Sequence, residues 1–168
     1  MDIILNRRSI RKYDLNKKIS DELLIDLCRY AEAAPSARNQ RGRAYIIIND
    51  SKTIKALSEV SQGSRILANA NTCICVVGKD KNELSTPAMQ PTDLAAATEN
   101  ILLRATEQGL ASCWIGLYPM SDRMEATARI LNIPANEFAF SLIALGYPEG
   151  DNVFYDMEKK PEISFNRR

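Results

Sequence analysis

The chain has 168 residues, with 22 Lys plus Arg against 21 Asp plus Glu, a formal net charge of +1 and no histidine. The missing imidazole excludes Ser-His-Asp and Cys-His nucleophilic catalysis and every zinc pattern with His ligands. Demanding chemistry would have to come from a borrowed cofactor, a carboxylate, a lysine or a thiol. At 45% hydrophobic and 26% charged residues the composition is that of one globular domain over residues 1–168. Near-neutral charge speaks against a nucleic-acid or membrane-surface protein, and no apolar run approaches the roughly 18 residues of a membrane span. The start, MDIILNRRS, is no secretory signal. Cys28, Cys73, Cys75 and Cys113 lie in or beside apolar segments without a CxxC pair, as expected of buried reduced thiols in a cytoplasmic protein.

In chain order, Ser20 is an N-cap followed by Asp21 and Glu22, where carboxylates favour the positive helix end. Leu23, Leu24, Leu27, Cys28, Ala31 and Ala34 then form one apolar stripe that Pro35 stops. Ala44 to Ile48 is a short β-rich run, 51–61 a helix through Ile54, Leu57 and Val60, and 64–69 another turn or two. Thr72 to Val77 is a β-branched central strand, and the polar stretch Gly78 to Pro91, with two prolines, is a loop. Thr92 caps a long helix carrying Leu94, Ala97, Ile101, Leu102 and Ala105, which Gly109 ends. A strand over 112–115, a helix over 121–131 and a strand over 138–145 follow, then a charged C-terminal arm over about 149–168. Strands and helices interleave irregularly and there is no GxGxxG, so the pattern is α+β rather than a Rossmann unit.

The small net charge hides an asymmetry. Residues 1–18 hold six cations and two anions, a local +4 against −3 for the rest. The knot Arg7-Arg8-Ser9-Ile10-Arg11 suits a phosphate, because guanidinium forks pair bidentately with its oxygens and a hydroxyl adds a neutral donor. The same residues also read as a solvated basic helix end. The loop Ala34-Pro-Ser-Ala-Arg-Asn-Gln40 offers backbone N–H groups, a hydroxyl and two amides to a planar heterocycle, or is only a helix-terminating turn. Trp114 and Tyr118 are core aromatics or pocket walls, and Cys113 reads as plain packing. Asp93, Glu99 and Glu107 read as solvated charges on the long helix.

Taken in order, these segments resemble the nitroreductase family of flavin oxidoreductases. The family's RRSxR opening is matched by Arg7 to Arg11, and its APSxxNxQ-type loop by Ala34 to Gln40. Its long helix running into GLxxCWIG is matched by Asp93 to Gly116, and its LGYPxE turn by Leu145 to Glu149. Lys159-Lys160-Pro161 resembles a basic element that meets the flavin phosphate in relatives. The resemblance implies an α+β fold with a mixed β-sheet flanked by helices, and a homodimer with flavin at the subunit interface. It implies that Arg7, Arg8 and Ser9 hold the FMN phosphate and ribityl chain, with Arg11 nearby and Lys159 and Lys160 completing the site. Pro35, Ser36, Ala37, Asn39 and Gln40 would contact the flavin from the partner subunit, and the backbone at Gly116 and Leu117 would approach its reactive edge.

The implied activity is FMN-dependent, with NADH or NADPH as co-substrate and ping-pong hydride transfer to a small nitroaromatic or quinone-like acceptor. The resemblance implies neither a catalytic acid or base nor a metal. Flavin-fragmenting or dehalogenating chemistry, and a non-enzymatic flavin-binding module, are the alternatives. This chain departs from the family in having Arg41-Gly42-Arg43 where Pro-Trp is common, and in a short 78–91 segment.

Overall fold

Capping and apolar spacing set the helices. In the computed structural model, which describes residues 2–150 and 161–167, α1 (Ile3–Asn6) opens on Asp2, whose carboxylate accepts from Leu5 N at 3.1 Å. In α2 (Asp21–Glu32) the Ser20 hydroxyl accepts from Leu23 N at 3.3 Å, as the sequence predicts. After β1 (Arg43–Ile48), α3 (Ser51–Ser58) is capped by Asp50, which accepts from Thr53 N at 2.8 Å. This helix stops short of the expected residue 61. Residues Gly63–Asn69 form a 3₁₀ stretch, because the buried Ser64 hydroxyl is engaged with Ser61 O at 2.8 Å.

Next come β2 (Thr72–Gly78) and α4 (Gln90–Glu107). The latter begins two residues before the expected cap. Pro91 sits in its first turn, where no N–H is needed, and the Thr92 hydroxyl donates to Met89 O at 2.7 Å instead of capping. The 78–91 loop contains two 3₁₀ turns, Lys81–Glu83 and Pro87–Met89. Gly109, with φ +70°, takes the left-handed position that closes α4. Then follow β3 (Ala111–Gly116), α5 (Ser121–Leu131) and β4 (Phe138–Gly146).

The sheet order is β1-β2-β4-β3, with every named pair antiparallel and one isolated parallel bridge, Ser9 to Ser112, at the outer edge of β3. Side chains alternate faces along a strand. Ile74, Val76, Ile143 and Leu145 therefore pack with Leu24, Leu27, Leu94 and Ile101 of α2 and α4. Cys73, Cys75, Val77, Leu142 and Ala144 pack with Ile54, Leu57 and Leu67 on the opposite face, which α5 also covers. All of β2 is buried, which is why its sequence is a continuous apolar run.

The register of β2 on β4 jumps once. Val76 opposes Ser141 but Val77 opposes Ala139, so Phe140 is the extra residue of a β-bulge. The bulge turns Phe140 toward the α2–α4 layer, while Ser141 keeps its buried hydroxyl 3.1 Å from that of Thr98 on α4. Next to it, the Phe138 ring lies over Gly78. A Cβ there would stand 2.3 Å and 2.5 Å from two ring carbons. Gly78→Ala is expected to destabilise by about 1–3 kcal/mol through overpacking. Denaturant melts should register this loss and show partial recovery when Phe138→Leu is added. A Gly78→Ala variant as stable as the parent would contradict the packing.

Candidate functional site

The strap that follows α1 gathers most of the basic motif against β3. Ser9 bridges Ser112, and Ile10 N donates to Ser112 O at 2.9 Å. Arg8 Nη1 donates to Leu5 O and to Arg7 O, and Arg11 Nη1 to Ser9 O at 3.1 Å, so the guanidinium groups fold over their own backbone. Arg7 pairs with Glu99 of α4 at 2.9 Å, both side chains partly exposed. Further on, Tyr13 is buried beside Gly146, Asp14 N donates to Tyr147 O at 2.9 Å, and Glu149 N donates to Lys12 O at 3.3 Å. The RRSIR and LGYPE motifs, far apart in sequence, are therefore neighbours.

Because Ser112 turns its carbonyl to the outer edge, strand alternation turns the N–H groups of Trp114 and Gly116 to that edge too. Gly116 is exposed, and no atom lies within 4 Å of where its Cβ would be. Leu117 differs. Its side chain is fully buried, and its N–H, like that of Tyr118, donates to Phe140 O (3.3 and 3.0 Å). Of the two expected backbone contacts, Gly116 is the one with an outward N–H. Trp114 and Tyr118 flank this point, their rings 6.3 and 5.7 Å from the Phe140 ring, and both are partly open to solvent.

The second cluster is the loop after α2. Arg43, 4% exposed, donates through Nη2 to Glu32 O and Ala34 O, each at 2.9 Å, and through Nε to Glu32 Oε1 at 3.1 Å. It thus ties down the last carbonyls of the helix. Pro35, Arg38 and Asn39 are exposed, and Ser36, Ala37 and Gln40 half-buried. Arg38, Asn39 and Arg41 have φ of +49°, +54° and +47°. Left-handed backbone at a residue with a side chain costs of order 1–3 kcal/mol each, so this loop is held by its surroundings. Ser36 Oγ accepts from Arg41 N at 3.1 Å, and Arg41 Nε donates to Asn39 Oδ1 at 2.9 Å.

Asp93 overturns its expected place on a solvated helix face: it is 7% exposed and accepts from Ala37 N at 3.0 Å and from Gln40 Nε2 at 2.7 Å. Glu99 and Glu107 are likewise engaged, with Arg7 and with Arg104, which also pairs with Asp26 at 2.7 Å and lies 4.0 Å over the Tyr30 ring. The legible signal for Asp93 was its spacing, four and eight residues before the fully buried Ala97 and Ile101. Asp93 and Glu99 are six residues apart on α4, about 9 Å along its axis and turned by about 120°. The strap and the loop thus dock on different sides of one helix. The expected contacts at Lys159 and Lys160 lie outside the described residues.

The sequence pattern that defines the nitroreductase family matches residues 4–64 and 62–147. The chain belongs to the nitroreductase family. Relatives agree along nearly the whole length. An Archaeoglobus fulgidus protein provisionally named an NADH dehydrogenase/NAD(P)H nitroreductase is 38% identical over 160 residues, 95% of this chain and 91% of that one. The crystal structure of a provisionally named NADH oxidase from Clostridium acetobutylicum superposes with a TM-score of 0.92 at 36% identity, covering 99% of this chain and 100% of the other. An FMN-dependent nitroreductase from Clostridium difficile R20291 gives 0.89 at 26% identity, covering 98% of each.

In this nitroreductase-family chain the thiols are chemically quiet, and none of the described cysteines is in a disulfide. Burial pushes Cys28 to about 11, aided by Glu32, and Cys73 to about 12. Burial also raises Cys113, although the charges of Arg11 and Arg7 and a Ser9 hydrogen bond pull it back, which places that trio beside the start of β3. Burial likewise raises the phenols of Tyr13 and Tyr45. Such groups are protonated in the fold above the pH at which the unfolded chain loses its proton. Their stabilisation is whole below the ordinary thiol value of 9.0 and declines as pH climbs toward 11. The melting temperature should therefore fall above about pH 9. A thiol reagent at about pH 8 should leave the native protein largely unlabelled and modify all four cysteines after unfolding.

Proposed function

We propose that this chain is an FMN-dependent oxidoreductase. It takes reducing equivalents from NADH or NADPH and delivers them to a small electron-poor acceptor of the nitroaromatic or quinone class. The observation that carries the reading is the outer edge of β3. There an outward N–H at Gly116, with open space above its Cα, shares an edge with a strap bearing Arg7, Arg8, Ser9 and Arg11. These donors fit the group: guanidinium and hydroxyl for a phosphate, and a backbone N–H with no Cβ in front of it for the rim of a planar ring.

Arg7, Arg8, Ser9 and Arg11 would hold the phosphate and ribityl chain, joined by Lys159 and Lys160. The Arg7–Glu99 pair is half-exposed and therefore weak, so Arg7 can exchange one anion for another at little cost. Leu117 shapes the floor from below. Pro35, Ser36, Ala37 and Asn39 would meet the ring from a second copy of the chain, since strap and loop lie on different sides of α4 within one copy. Bound FMN supplies the hydride-accepting and hydride-donating chemistry. The protein binds, orients and offers the Gly116 N–H where negative charge develops. With no histidine in the chain, protons come from solvent. Reductant and acceptor use one site in turn, a ping-pong order.

Purified protein should bind FMN stoichiometrically, bleach anaerobically on addition of NADH or NADPH, and give parallel double-reciprocal lines when the acceptor is varied. Arg8→Ala should weaken FMN binding by roughly 10–100-fold, the loss of one or two charge-assisted hydrogen bonds. A protein that stays colourless with added FMN would sink the reading, and one that binds FMN without being reduced would be a flavin-binding module.

A further inference from the structure

We propose that Asp93 is a positioning residue, a buried carboxylate that sets the shape of the 34–41 loop and locks it to the segment before α4. The proposal rests on the reading of that loop as a flavin contact. Asp93 belongs to no ion pair among the described residues. Its charge is met by neutral donors, Ala37 N on Oδ1 at 3.0 Å and Gln40 Nε2 on Oδ2 at 2.7 Å, and by its place in the first turn of an 18-residue helix.

Gln40 carries the connection onward. Its Oε1 accepts from both Thr86 N and Thr86 Oγ1 at 3.0 Å, and Nε2 also reaches Thr86 O at 3.2 Å. With Asp93 taking the shorter bond, both heads of the amide are committed. Gln40 is therefore a strut between two loops. Arg43 fixes the loop's start at Ala34 O, Asp93 its middle, and Gln40 its end. Between these anchors lie the left-handed residues Arg38 and Asn39, with Arg41 just beyond. Strained backbone persists only where its surroundings over-determine it. In this arrangement the carboxylate supplies that determination through two bonds to the loop. The 79–91 segment, held through Thr86, and the flavin-contact loop are then coupled through Gln40.

The test is a set of isosteric changes. Asp93→Asn keeps shape, but its single oxygen can accept from only one of Ala37 N and Gln40 Nε2 and sets a donor against the other, so both bonds are weakened. Amide hydrogen exchange at Ala37 in flavin-free protein should quicken roughly tenfold or more, with β2 amides unchanged, and FMN affinity should fall roughly tenfold. Adding Gln40→Glu to Asp93→Asn restores donor-to-acceptor polarity and leaves an oxygen for Thr86 N and Oγ1. It should recover at least half of both losses on a logarithmic scale. Wild-type exchange and affinity in Asp93→Asn, or a double variant no better than the worse single one, would overturn the proposal. Should Asp93→Asn fail to fold, Thr86→Val removes one hydroxyl from the same chain of bonds. It should then quicken Ala37 exchange roughly two- to fivefold, and unchanged exchange would overturn the proposal. If the wild type binds no FMN, the flavin reading fails by itself, while exchange at Ala37 still decides whether Asp93 clamps the loop.

Discussion

The rest of the site depends on one extra residue in β4. Phe140 has no partner of its own in the ladder with β2, and on the β3 side its carbonyl accepts from both Leu117 N and Tyr118 N. The bond to Leu117 N continues the β3–β4 ladder, and the second draws in the Tyr118 N–H, which leaves Gly116 as the last residue with its N–H on the outer edge. Had the alternation run on, the Tyr118 N–H would have faced the outer edge as well. β3 is the edge strand of the sheet, Gly116 leaves room beside it, and the bulge lies one strand in, close to the candidate site as bulges often are.

α4 organises the remainder. It carries apolar residues to the α2 layer and to the sheet, and its carboxylates each have a distinct task. Glu99 meets the strap, Glu107 pairs with Arg104 of the same helix, which Asp26 of α2 also holds, and Asp93 bonds to the loop. One helix therefore sets the separation of two clusters that share no residue. Within one chain the strap and the 34–41 loop lie apart, on different sides of that helix. The dimeric reading follows from this division more than from any exposed apolar surface.

What was legible in sequence were the features that local physics dictates. The Ser20 cap, the apolar stripe of α2, the continuous run of β2 and the Gly109 terminus all depend on neighbours within a few residues. The motifs from Arg7 to Glu149 were also legible, though as separate segments, and the Ser9–Ser112 and Tyr13–Pro148 bridges that join them come only from the fold. Less legible were features in which one side chain overrides the general pattern. Pro91 in the first turn of α4 displaced the cap expected at Thr92, and Ser64 drew 63–69 into a tighter helix. Asp93 was misjudged because acidic residues on long helices usually face water. Its partners lie more than 50 positions away in the chain.

The quiet thiols have a consequence for durability. Reduction of electron-poor aromatics generates electrophiles, and soft nucleophiles near the place of their formation are the first groups to be alkylated. Here the thiols of Cys73, Cys75 and Cys113 are buried, Cys28 is half-buried and held in its neutral form, and the chain has no imidazole. If the proposed acceptor is reduced at the β3 edge, a product leaving there would meet the guanidinium groups of the strap and the Trp114 and Tyr118 rings before any of these thiols. An architecture that keeps its thiols folded out of reach could release such chemistry repeatedly without consuming them.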